Sequence, residues 1–260
     1  MTSDEVLTTI DGAVATVTIN RPAQRNALSP AVTLGLRAAL RSVREDDGVR
    51  VVVLRGAGDR AFCAGADLST LGAGAGFLEL HEARGEIAGV FEDLWSLGKP
   101  TIARVQGYAL AGGFGLALAC DLVVAADDAV FGTPEIDVGL WPFMITVPIL
   151  RALSPKQAVE LMMTGRRVGA DEALRMGFVT RVVAPSELDE AVASLAAVLA
   201  AKSPAVMRLG RTTFYRVVDD LAFRALPYLH SQLTVGAGLD DAREGMAAFI
   251  EKRPARWTGH

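Results

Sequence analysis

Three largely apolar runs, at 49–54, 101–105 and 122–126, constrain the fold of this chain most. The first is dominated by valine, the mark of a strand buried on both faces. Glycine-rich turns and helical stretches separate the three. That alternation predicts an α/β class with a largely parallel sheet.

Other signals fill in the order of elements. Residues 6–10 and 14–19 alternate apolar and polar around Asp11-Gly12, a β-hairpin pattern. Ser29-Pro30 reads as an N-cap followed by proline at the first helical position, opening a helix to about residue 46 with Val32, Leu36, Leu40 and Val43 inside. Residues 56–66 read as a glycine-punctuated loop, with a short helix from Asp67, a Gly/Ala link at 72–76 and a helix over 77–97. Residues 107–113 read as a small-residue turn into a helix over 114–119. From about Leu140 the pattern is helical apart from a strand at 179–183. A second Ser-Pro helix start at Ser203-Pro204 suggests a 1–200 α/β core followed by a 201–260 helical region.

Composition narrows the function. A chain of 260 residues that is 51% hydrophobic can bury ~75% of its unfolded surface without disulfide staples. The net charge of −4 argues against nucleic-acid binding, whose footprint is a basic excess. The two cysteines, Cys63 and Cys120, suit a reduced compartment. The acidic start, Met1 to Glu5, lacks a signal-peptide pattern, and the longest apolar stretch, 109–120, is too short to span a bilayer. A cytoplasmic protein without a membrane segment is expected.

Several chemistries have weak support. Gly56-Ala57-Gly58-Asp59-Arg60-Ala61 follows a strand and fits a dinucleotide fingerprint, but the residues after it are loop-like where a helix should begin. His81, His230 and His260 are scattered, so no metal site is expected, and His81 reads as part of a solvated helix face. No G-x-S-x-G elbow is present. Cys63 could be a nucleophile, though a small buried thiol describes it as well.

Two glycine-rich turns remain, Cys63-Ala64-Gly65-Ala66-Asp67 and Leu110-Ala111-Gly112-Gly113-Phe114, each after a strand and before a helical stretch. Small residues let a ligand approach the backbone, and a helix start offers free N–H donors. Two such turns from adjacent strands could aim two donors at one oxygen, or could serve tight packing alone.

A resemblance bears on that choice. Asn20-Arg21-Pro22 with Arg25-Asn26-Ala27-Leu28, then Ala61 to Leu68, Gly107 to Gly113, Cys120-Asp121-Leu122 and Phe131-Gly132-Thr133-Pro134-Glu135 resemble the crotonase (enoyl-CoA hydratase/isomerase) family. Leu161 to Arg166, Glu172 to Val179 and Glu244 to Arg253 continue the likeness in the same order along nearly the whole chain. The resemblance implies a spiral of ββα units with a C-terminal helical part that makes trimers, often paired into hexamers. It implies an acyl-CoA substrate, with CoA as part of the substrate and no separate cofactor. The thioester oxygen would sit between the amides of Ala66 and Gly112. CoA would lie along Arg25, Ala27, Leu28, Ala64 and Asp67, with Phe249 and Lys252 reaching the CoA of a neighbouring subunit.

The chain also departs from the pattern. Hydratases of the family use two glutamates. The second matches Glu135, but the first falls on Gly115. Water addition needs one group to activate water and another to protonate carbon, so the loss favours isomerase or other non-hydratase chemistry. Trp141, Phe143 and Met144 should narrow and dry the acyl pocket, which raises a carboxyl pKa. Asp137 would share a face with Glu135 if that segment were extended. Glu79, Glu82 and Glu86 are further candidates for a second acid. A protein that binds acyl-CoA with little turnover is the alternative that Gly115 suggests.

Overall fold

The computed structural model describes residues 5–67, 76–202, 204–219, 230–231, 234, 237–238 and 240–256. The short helix expected after Asp67 and most of the 72–76 link lie outside the described residues. β1 (Val6–Asp11) and β2 (Val14–Ile19) form the expected hairpin, with Val6 opposite Ile19 and Asp11 opposite Val14. Beyond it β3 (Val51–Gly56), β5 (Thr101–Val105), β7 (Leu122–Ala126) and β10 (Arg181–Val183) add in parallel, giving the order β1-β2-β3-β5-β7-β10.

Successive residues of the central strands face opposite sides. Val51, Val53, Ile102, Val124 and Ala126 pack on Leu188, Val192 and Ala196 of α7 (Leu188–Ala200). Val52, Leu54, Ala103, Val105, Val123 and Ala125 belong to the larger core on the other face. Both faces are therefore dry, and these strands carry apolar side chains in both directions. On the larger side lies α1 (Pro30–Glu45), which inserts Val32, Leu36, Leu40 and Val43 at helical spacing. Its N-cap works as the Ser-Pro pair suggests: Val32 N–H donates to Ser29 Oγ at 3.1 Å.

A second sheet departs from the expectation. β4 (Ala61–Cys63), β6 (Tyr108–Leu110), β8 (Val130–Gly132) and β9 (Arg167–Gly169) pair in that order. Residues 61–63 and 108–110 read as loop and turn in the sequence because three residues are too few to show a period of two. Each of β3, β5 and β7 is followed within a few residues by a strand of this smaller sheet. The repeated turn is a ββα spiral, with α2 (Phe77–Trp95) and α3 (Gly112–Ala119) completing two of its units.

Smaller differences have local causes. α2 stops at Trp95 rather than 97, where the Ser96 hydroxyl donates to Glu92 O at 2.6 Å. Of the strand expected at 179–183 only Arg181–Val183 pairs fully, since Thr180 N–H and Oγ1 both bond Val123 O. His81 is not a solvated helix position: its ring stacks on His230 with centroids 3.7 Å apart.

Further helices among the described residues include α4 (Thr146–Ala152), α5 (Pro155–Thr164), α6 (Ala170–Met176), α8 (Pro204–Asp219) and α9 (Asp240–Ile250). α8 is held by Arg211, which donates to Leu94 O at 2.7 Å, Trp95 O at 2.8 Å and Asp121 Oδ2 at 2.8 Å. A cation on the last carbonyls of α2 also suits that helix's dipole. α9 rides directly on the backbone at Val138 and Gly139. A Cβ at Gly245 would overlap the Val138 carbonyl, so only glycine permits the contact.

Candidate active site

The site begins with a loop that has almost no regular structure. Arg25 and Asn26 both have left-handed φ, 52° and 56°. Asn26 is fully buried and replaces missing backbone pairing: its Nδ2 donates to Ala57 O at 3.0 Å and Ala61 O at 2.7 Å, and its Oδ1 accepts from Arg21 N–H at 3.0 Å. Arg21 then donates to Ala27 O and pairs with Asp67 at 2.9 Å. Asp67 is thereby committed to holding the loop.

This loop meets the first glycine turn through a parallel bridge. Leu28 N–H donates to Gly65 O at 2.8 Å, and Asp67 N–H donates to Leu28 O at 3.0 Å. Those bonds use the groups on either side of Ala66 and turn its own amide to the opposite edge.

The second turn lies against the first. Ala111 has φ 51° and ψ −127°, a strained conformation for a residue with a Cβ. Its N–H is anchored on Gly132 O at 2.9 Å. The bend makes Gly112 the first residue of α3, where a helical N–H has no partner within its own helix. Gly65, at φ +97°, faces this bend closely. A Cβ there would lie 2.6 Å from Ala111 Cβ and 3.5 Å from the Gly112 nitrogen.

Glu135 comes from a short 3₁₀ helix, Pro134–Val138, that follows β8. The buried Thr133 fixes its entry by donating to Leu161 O at 2.8 Å. The Oε2 atom of Glu135 is sealed from solvent without a hydrogen-bond partner among the described residues. Burial pushes its carboxyl up to about 7, while its own backbone N–H and the Arg167 guanidinium pull it down. Asp137 follows in a helical and not an extended segment, so it projects at a different angle from Glu135, but it lines the same cavity. It is exposed, and its carboxylate lies toward Gly165.

These elements enclose one cavity of about 760 Å³. Ala66, Gly112 and Glu135 line it, as do Arg25, Ala27, Leu28, Ala64 and Asp67. Trp141, Phe143 and Met144 form part of its apolar wall, and Phe249 of the same chain reaches it from α9. Lys252 is not among the lining residues. It is exposed, with φ 53°, just past the end of α9.

The sequence reading missed Ile145 and Arg167 as wall residues. A lone arginine in a short strand carries no local signal of the cavity beside it. For Ile145 a signal existed in Gly115. A Cβ at Gly115 would overlap Ile145 Cγ2, lie 2.9 Å from Ile145 Cβ and lie 3.1 Å from Phe91 Cζ. The glycine and the isoleucine occupy complementary volumes.

Other candidate chemistries fare poorly. Burial pushes the Cys63 thiol up to about 12, which suits an inert buried side chain. Residues 56–61 run into β4 and not into a helix, so the dinucleotide fingerprint lacks the helix N-terminus it requires. Glu86 pairs with Arg37 at 2.7 Å. Among the described residues no group of three His, Cys, Asp or Glu side chains could hold a metal, and no helix is long and apolar enough to cross a membrane.

Residues 9–260 match the family model described as enoyl-CoA hydratase/isomerase. The chain is 38% identical to a carnitinyl-CoA dehydratase of Salmonella arizonae, over 99% of this chain and 100% of that one. It is 34% identical to a short-chain-enoyl-CoA hydratase of Clostridium acetobutylicum, over 97% of each. Among solved structures, a carnitinyl-CoA hydratase from Mycobacterium avium superposes with a TM-score of 0.88 at 34% identity, covering all of both chains.

Proposed function

The chain belongs to the enoyl-CoA hydratase/isomerase family, and on that premise we propose that it catalyses proton transfer at the α-carbon of an enoyl-CoA thioester, with Glu135 as the acid–base group. The observation that carries this reading is Glu135 Oε2, sealed from solvent and without a hydrogen-bond partner among the described residues, in the cavity that Ala66 and Gly112 also line.

Removing a proton beside a thioester puts negative charge on the carbonyl oxygen. The amides of Ala66 and Gly112 are the donors for that oxygen. Both are backbone groups whose neighbours are held by hydrogen bonds, so they are oriented before the charge grows, and loss of one such donor costs about 2.7–4 kcal/mol of barrier. A carboxyl that titrates near 7 is matched to taking a proton and giving it back. With a 3-enoyl-CoA, Glu135 takes a proton from C2, the double bond moves to C2–C3, and the same carboxyl returns the proton at C4. The CoA portion lies along Arg25, Ala27, Leu28, Ala64 and the Arg21-paired Asp67, and Phe249 and Lys252 reach toward the CoA of a neighbouring subunit. Trp141, Phe143 and Met144 shape the acyl end.

Hydration is the second reading, supported by the relatives named as an enoyl-CoA hydratase and a carnitinyl-CoA dehydratase. The two separate in one set of assays. A 3-enoyl-CoA substrate reports isomerisation and crotonyl-CoA reports hydration. Glu135→Gln should abolish whichever is present. Full turnover by that variant in both assays would remove the role given to Glu135. Tight acyl-CoA binding by the wild type, with no product across a thioester panel, would make the chain a binding protein instead.

A further inference from the structure

We propose that Ile145 determines reaction specificity in this site: it fills the space beside Gly115 and thereby closes the α3 wall of the pocket to a second acid–base side chain. The proposal rests on the reading of the site given above and goes beyond it by naming the residue that enforces it.

The observation is steric. Gly115 lies in the buried helix α3, three residues after Gly112. A side chain there could not simply be added. Its Cβ would overlap Ile145 Cγ2 and crowd Ile145 Cβ at 2.9 Å and Phe91 Cζ at 3.1 Å. Neither neighbour is free to yield, because Ile145 is 2% exposed and Phe91 is 0% exposed within the close-packed core. Ile145 holds its place as the N-cap of α4, and it lines the same cavity as Glu135.

The chemical consequence follows from what water addition requires. In hydration of a 2-enoyl thioester the hydroxyl of water bonds to C3, the C2–C3 π bond breaks, and C2 receives a proton. One group must accept the proton of water while another supplies the proton to C2. Proton transfer from C2 to C4 needs a single group that does both in turn. An isoleucine methyl at the α3 wall offers neither an acid nor a hydrogen bond to hold water. On the α3 side, where Gly115 stands, the wall therefore supplies no second acid–base group beside Glu135.

Two measurements test this, one of them independent of catalysis. Glycine is well tolerated at an N-cap, so Ile145→Gly removes the two nearer of the three crowding atoms, leaving Phe91 Cζ, at a position that accepts it. Gly115→Ala should lower the melting temperature by about 5 °C in the wild-type background and by less than half as much in the Ile145→Gly background. Equal shifts in the two backgrounds would overturn the proposal. The second measurement is crotonyl-CoA hydration. The double variant Gly115→Glu/Ile145→Gly should hydrate at least about tenfold faster than the wild type and either single variant. A cooperatively melting double variant no faster than wild type, or an equal gain from Gly115→Glu alone, would overturn it. If the double variant does not fold, the melting-temperature comparison decides. Absence of Glu135-dependent turnover in the wild type would instead defeat the functional reading and leave the Gly115–Ile145 coupling standing.

Discussion

Leu28 and Ala66 lie side by side in an isolated parallel bridge, held by Leu28 N–H on Gly65 O and Asp67 N–H on Leu28 O. Through it the irregular loop near the N-terminus and the first glycine turn behave as one piece. The amide of Ala66 is oriented by bonds on either side of it, so a displacement of the loop would reach the first glycine turn directly.

Asn26 stands behind that bridge. Its side chain serves three backbone groups while fully buried. Asn26→Ala leaves the buried Ala61 O unpaired, at about 1–3 kcal/mol, while the part-buried Ala57 O and Arg21 N–H lose their partner at smaller cost because water can reach them. Urea denaturation should show a loss of about 2–4 kcal/mol. An unchanged midpoint would mean that the loop is held by other contacts.

Gly65 and Gly177 share a left-handed φ, at +97° and +90°, but differ in surroundings. A Cβ at Gly177 meets nothing within 4 Å, so Gly177→Ala pays only backbone strain, about 1–2 kcal/mol. At Gly65 the added methyl collides with Ala111, the residue that sets the Gly112 amide. Gly65→Ala should lower kcat/KM for acyl-CoA by about 100-fold, the scale of a lost oxyanion donor, with Gly177→Ala as the control for strain. Similar activity in the two variants would break the link between the turns and catalysis.

Glu135→Gln should act on stability as well as turnover. Below pH 4.5, the usual glutamate value, Glu135 is protonated folded and unfolded, and the variant should match the wild type. Between 4.5 and about 7 the unfolded chain releases the proton while the folded chain keeps it, so wild-type stability falls as pH rises. Above pH 7 the variant should be more stable by at most about 3 kcal/mol. Melting curves at pH 4.5 and pH 8 measure the difference. A gap of the same size at both would show that the carboxyl is not held protonated by burial.

Arg167 lies in the cavity wall, and its charge draws the Glu135 carboxyl down. Arg167→Met removes that field. If Glu135 acts as a base, kcat/KM should rise with pH through about 7 in the wild type and through a higher value in the variant. A pH profile that does not move would detach the observed ionisation from this carboxyl.

The sequence by itself determined the α/β class, the hairpin at Asp11-Gly12, the capped first helix and the doubly buried strands. Each of these depends on local pattern: periodicity, a turn dipeptide or an N-cap. The ordered motifs also singled out Glu135 and the two glycine turns. Tertiary structure alone decided the rest. The strands of the second sheet are three residues long and exist only because partners arrive from distant segments. Asp67 became a structural anion because Arg21 reaches it across the loop, and Glu135 acquired its raised pKa from walls supplied by several elements. Gly115 shows the boundary most directly. The sequence recorded an absent side chain, while only packing revealed that Ile145 and Phe91 had taken its volume, since excluded volume depends on neighbours that sequence distance does not define.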